Sequence, residues 1–149
     1  MPASGTLSTE QHCQRAAHHA HVGDELASTG EPEWAAVCLF YGAYHLMRAA
    51  LTSDALFDDP TRLSRINAQL TPADRGTARH KGRKNTSNGR EWGVNELVLL
   101  LYRPLAGDYD RLHQASIDVR YGQGLRGDVA DLRRNLTSIE DAYAGGLSA

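Results

Sequence analysis

Two cysteines in 149 residues, Cys13 and Cys38, are too few and too widely spaced for a disulfide scaffold or paired-thiol zinc site, and both fall in apolar helical pattern. A reducing compartment follows. Neither sign of charge dominates: 16 Lys and Arg against 18 Asp and Glu leave a net charge of −2, which excludes a surface coated in basic charge for duplex DNA. A 41% hydrophobic share excludes a wholly disordered chain. The longest apolar-rich stretch, Trp34 to Leu51, is interrupted by His45 and Arg48, so it reads as a buried helix and not a membrane span. The first residues lack the basic and apolar regions of a secretory signal, and a cytoplasmic protein is expected. No strand pattern and no internal repeat compete with the helical signals.

What is present is a succession of helices. Ser8 or Thr9 can cap a first helix running to about Ala27, with Cys13, Ala16, Ala17, Ala20 and Ala27 giving a face that permits close approach. Pro32 suits the start of a second, in which Trp34, Val37, Cys38, Tyr41, Tyr44, Met47 and Leu51 recur at three- and four-residue steps. Residues 52–90 are apolar-poor, with turn signals at Asp59-Pro60, Thr71-Pro72 and Asn88-Gly89 and a short helix near Thr61 to Gln69. Helix returns from Glu91 to Tyr102, closed by Pro104. A further helix is capped by Asp108 and ended by Gly122, and a last one starts at Asp128, with Leu132, Leu136 and Ile139 as its seam. The expected fold is all-α. It comprises one domain over 1–149, a four-helix up-down bundle plus a short extra helix, with 52–90 inserted between the second and third long helices. Trp34, Val37, Cys38, Tyr41, Val98, Leu112, Val119, Leu132, Leu136 and Ile139 are expected to be buried. An alanine-rich first helix and a heptad-like last one could pack on a second copy as a homodimer.

The span 75–90 holds six of the sixteen cations, Arg75, Arg79, Lys81, Arg83, Lys84 and Arg90, and no acid. Glycines that let backbone N–H groups approach phosphate, with flexible cations beside them, suit sequence-independent contact with RNA or phosphate. A solvated loop or a docking site for an acidic protein has the same composition. On the second helix Tyr41, Tyr44, His45 and Arg48 form a polar group that Asp118 or Arg120 could complete, with Tyr121 beside them, as either a satisfied core network or a ligand pocket. Arg120 could equally cap its own helix end. His18, His21 and Glu25 share a helix face, but no paired ligand spacing accompanies them, so neither a metal nor a cofactor is expected.

The run Trp34 to Arg48, the later His80 and the run Tyr109 to Tyr121 together resemble small bacterial members of the HEPN superfamily (higher eukaryotes and prokaryotes nucleotide-binding). The resemblance covers about residues 8 to 143. It implies a helical bundle, frequent dimerisation, and roles from metal-independent endoribonuclease in toxin–antitoxin and antiviral systems to non-catalytic RNA or nucleotide binding. The implied partners are a cognate antitoxin, a nucleotidyltransferase or a defence complex. Catalytic members carry Arg, four to six residues, then His in a late helix. Here that spacing occurs at Arg75 to His80 and at Arg15 to His21. On this resemblance His80 would act as base on a ribose 2′-hydroxyl, with Arg75, Arg79 or Arg83 stabilising the phosphorane. The alternative is a non-enzymatic interaction subunit whose basic loop docks a partner protein.

Overall fold

The structure, a computed structural model, describes residues 6–86 and 89–149. Ser8 opens helix α1 (Thr9–Ser28) with a reciprocal cap: its hydroxyl accepts from the Gln11 N–H, and the Gln11 side chain accepts from the Ser8 N–H. Pro32 begins α2 (Pro32–Ser53), of whose 22 residues thirteen are buried, making it the central element. A 3-10 turn (Ala55–Asp58), helix α3 (Pro60–Ile66) and a second 3-10 turn (Pro72–Gly76) lead to strands β1 (Arg83–Thr86) and β2 (Gly89–Glu91). Helices α4 (Val94–Leu101), α5 (Arg103–Tyr121) and α6 (Val129–Ala144) complete the chain. Helix dominates the described residues, beside one small two-stranded sheet, so the class is all-α. α1 lies along α2, α2 packs on α5 and α6, and α4 packs on α5. The small residues Ala16, Ala20 and Gly23 of α1 are buried and bring it close to α2.

The strands depart from the sequence expectation. β1 and β2 pair antiparallel, Arg83 opposite Glu91 and Thr86 opposite Gly89, with a register shift between. Asn-Gly is a strong hairpin turn, but without alternating apolar flanks it reads only as a loop signal; Asn88 lies outside the described residues. Gly89, at φ +91°, adopts the left-handed conformation such a turn needs. Pro104 does not close a helix. It stands in the first turn of α5, where its missing N–H costs nothing, so α5 starts at Arg103 and Asp108 lies within it, accepting from Asn135 Nδ2. Gly122 ends α5 at φ −112°, without the left-handed conformation expected of it.

The apolar cluster contains Leu112, Leu132, Leu136, Ile139 and Val98 as expected, and Val37 is also buried. Trp34 instead is 56% exposed. The stripe Trp34, Cys38, Tyr41 runs along the edge of α2, whereas Ala36, Leu39, Phe40, Ala43 and Met47 form its buried face. Cys38 and Tyr41 are therefore half-buried, as is Val119 near the end of α5.

The span 75–90 is stitched to the helices. Val94 and Asn95 donate their N–H groups to the carbonyls of Arg79 and His80 at 2.7 and 3.1 Å. The Thr77 hydroxyl donates to the Trp92 carbonyl at 2.6 Å, and the Tyr44 hydroxyl to the Ala78 carbonyl at 2.5 Å. Gly82 and Gly93 cross so closely that a methyl group on either would overlap the other strand's backbone. Glu96 ties this crossing together, accepting from the Gly93 N–H and from Arg90. Burial raises its carboxyl pKa, but Arg90 and the N–H groups of Gly93 and Gly82 outweigh that and hold it below the usual range.

Candidate functional site

Along the polar edge of α2, side chains from three other segments converge. α1 contributes His12 and His19; α2 contributes Tyr41, Tyr44, His45 and Arg48; the approach to β1 contributes His80; and α5 contributes Tyr109, His113 and Arg120. His80 stacks on the Tyr44 ring, centroids 4.7 Å apart and planes 5° from parallel, and meets Tyr41 edge-on at 5.9 Å. Tyr44 donates to the chain carrying His80, through the Ala78 carbonyl, and accepts from Arg48 at 3.1 Å. Arg120 donates to the Tyr41 hydroxyl at 3.2 Å and to the Ser116 carbonyl, so one guanidinium links α5 to α2.

The histidines continue this strip. His19 stacks on His45 at 5.4 Å, nearly parallel, and lies 5.9 Å from Tyr41. His12 Nδ1 and His45 Nδ1 are 3.0 Å apart, a hydrogen bond in which one ring donates and the other accepts, so both cannot carry a proton on that nitrogen. Burial, with Arg48 and Arg15 nearby, brings His12 down to about 4. His45 reaches about 4 through burial and the surrounding His12, His19, Arg15 and Arg48. Burial also lowers His19, with His18 and Arg15 adding to it, and His80, with Arg120 adding to it. His113 is lowered by burial and by His80, Lys81 and Arg120, against the opposing Asp110. Asn95 Nδ2 lies 3.2 Å from His113 Nδ1. Tyr109 packs edge-on to Phe40, and its buried hydroxyl has no hydrogen-bond partner. Burial, together with Tyr44 and Tyr41, raises its pKa well above the ordinary phenol value.

The strip unites two groups of residues that are separate in the sequence: His80, from the basic span, and Tyr41, Tyr44, His45, Arg48 and Arg120, from the expected polar pocket. Other candidates fall elsewhere. Arg75 is held by Asp58 at 2.7 Å and by the Asp54 carbonyl at 2.9 Å, and packs over Phe57, so it does not stand beside His80 as a catalytic partner. Arg79 pairs with Glu91 at 3.3 Å, while Arg90 pairs with Glu96 at 2.7 Å and covers the Trp92 ring at 3.7 Å. Acids flanking the span thus neutralise three of its six cations. Lys81, Arg83 and Lys84 are exposed and form no ion pair among the described residues. Asp118 accepts from Gln114 on its own helix and does not complete the pocket. Tyr121 is 79% exposed, with Arg120 5.1 Å from its ring centre.

His12, His19, Tyr109 and His113 belong to the site but were not singled out for it from the sequence. A signal existed for two of them. His12, Ala16, His19 and Gly23 follow three- and four-residue steps on the face of α1 that packs against α2, whereas His18, His21 and Glu25 lie outside it. His21 pairs with Glu25 at 3.1 Å in the open. Among the described residues no group of three His, Cys, Asp or Glu is placed to hold a metal, and no helix is long and apolar enough to cross a membrane. Compared with known proteins, the chain matches no family model, no curated protein and no solved structure.

Proposed function

We propose that this chain binds RNA or nucleotide phosphate along the His80 strip and the cations of β1, as an HEPN-like protein of a toxin or antiviral defence system. The observation that carries the reading is His80 seated against Tyr44 and Tyr41, whose hydroxyls accept from Arg48 and Arg120, without a carboxylate among its partners in the described residues. The half-buried rings of Tyr41, His19, His45 and His80 leave faces that suit unpaired bases, and nearby guanidinium and ammonium groups suit the phosphates between them. On this reading α1, α2, α5 and α6 make the up-down bundle, residues 52–90 its insertion, and a homodimer the working form.

If RNA is also cut, the step is metal-independent. His80 takes the proton of a ribose 2′-hydroxyl, the freed oxygen attacks phosphorus, and the 5′-oxygen leaves with a proton from solvent, giving a 2′,3′-cyclic phosphate. Arg120 or Arg48, rather than Arg75, is positioned to offset charge on the phosphorane. Only three unpaired cations remain on the basic span, a surface small enough for an acidic peptide, and that favours partner docking as the second reading.

Two measurements test these readings. Lys81, Arg83 and Lys84 changed together to Ala should weaken binding to labelled RNA and flatten its salt dependence. The same change at Arg65, Arg103 and Arg126, which make no ion pair among the described residues, should not. Equal affinity and equal salt slope for the two variants reject the surface. Cleavage of total RNA that persists with chelator and disappears in His80→Ala supports the enzyme. Binding without any cleavage leaves the binding module alone.

A further inference from the structure

The strip contains an arrangement that folded proteins ordinarily avoid: several imidazoles packed together and beside arginines, with no acid among the described residues to balance a proton on His12, His19, His45 or His80. Around His12 and His45 the charged and titratable neighbours are Arg15 and His19 from α1 and Tyr44 and Arg48 from α2. Around His19 and His80 they are His18, Arg15, Tyr41, Tyr44, Arg120 and His113. From α6 Tyr143 reaches α1, where its hydroxyl bonds to the Cys13 thiol. The one carboxylate acting on the cluster, Asp110, acts on His113. In the free protein every proton added here meets a positive neighbour.

We propose that the Tyr41–Arg120 pair, flanked by His19 and His80, is a proton-linked phosphate site: a phosphate group binding there supplies the missing negative charge and is taken up together with a proton on one of the flanking imidazoles. The proposal rests on the reading of the strip as a phosphate-binding surface and adds its regulation. Tyr41 accepts from Arg120 and so keeps its own O–H to donate, while the two imidazoles, each with its ring centre 5.9 Å from that of Tyr41, can donate once protonated. Because linkage is reciprocal, a ligand that brings a proton with it binds more tightly as pH falls. Each proton taken up on binding tightens it by up to about tenfold per unit fall in pH.

The test uses the full chain with a fluorescein-labelled oligouridylate, with inorganic phosphate as competitor, from pH 6 to 8 at constant ionic strength. Titration calorimetry in buffers of different ionisation enthalpy counts the protons taken up. The expected result is severalfold tightening from pH 7.5 to 6, with proton uptake that rises toward one at the acid end, both reduced in His19→Gln or His80→Gln. Both should be unchanged in His21→Gln, whose exposed ring pairs with Glu25 outside the strip. His19 makes no hydrogen bond among the described residues, so its variant keeps the proposal testable should His80→Gln fail to fold; thermal melts check both. Competition by inorganic phosphate assigns the site to a lone phosphate, and its failure to compete assigns it to the strand; either agrees with the proposal. Binding without pH dependence or proton uptake overturns the proposal and leaves the RNA reading standing. The same uptake in His19→Gln and His80→Gln as in the parent also overturns it. Absence of binding at every pH overturns both.

Discussion

Acid should loosen this protein before its carboxylates titrate, and His12 measures by how much. Its side chain is 1% exposed, its Nδ1 is committed to His45, and its Nε2 has no partner. An imidazole that titrates at 6.5 in the unfolded chain titrates at about 4 here, because burial and the arginines Arg48 and Arg15 oppose its charge. The unfolded chain therefore binds a proton that the folded one refuses. The resulting stability is fully present above pH 6.5 and is lost as pH falls through about 4. Between pH 7.5 and 5 this one group removes about 2 kcal/mol. His45 acts in the same direction but is more open to water. Replacing His12 with Phe keeps a ring in the space and removes the titration. Urea denaturation at pH 7.5, 6 and 5, followed by circular dichroism, should show the parent losing about 2 kcal/mol more than His12→Phe over that interval. Parallel pH profiles for the two proteins would refute the reasoning, since the paired imidazoles would then contribute nothing to the pH dependence.

Two packing predictions follow from the same structure. Gly82→Ala and Gly93→Ala each force a methyl group into backbone at the hairpin crossing and should cost more than about 2 kcal/mol. Gly76→Ala, with open space around its Cα, serves as a near-neutral comparison, all three measured by chemical denaturation. Tyr109→Phe removes a buried hydroxyl that has no partner, so its stability should stay level or rise by up to about 1 kcal/mol; a clear loss in a thermal melt would reveal a bond the structure lacks.

The helices were legible where local chemistry determines them. Ser8, Pro32 and Asp128 mark helix starts through caps or a fixed φ, and these work without tertiary context. Pro104 was misread because the same residue that ends one helix can open the next, and only packing decides which. Trp34 was misread because periodicity identifies a face without saying which part of it meets a neighbour. The hairpin escaped because its flanks, rich in Arg, Lys and Asn, carry no alternating apolar pattern. Its order comes from Glu96, Trp92 and the glycine crossing, which lie just outside the strand residues themselves.

Composition located the basic span but could not apportion its charge. Asp58, Glu91 and Glu96 lie outside 75–90, and each neutralises a cation that looks free in the sequence. That apportionment narrows the exposed charge to Lys81, Arg83 and Lys84 and leaves His80 among rings instead of in solvent. The histidines carry the opposite lesson. Their isolation from acids could not be read along the chain, because Glu10 and Glu25 are close to them in sequence, and it emerges only from the face each residue occupies. Glu25 meets His21 outside the strip, whereas His12 and His19 face α2, where no carboxylate follows them. The same isolation makes the fold sensitive to acid and underlies the phosphate site proposed for the strip, because both follow from one uncompensated proton.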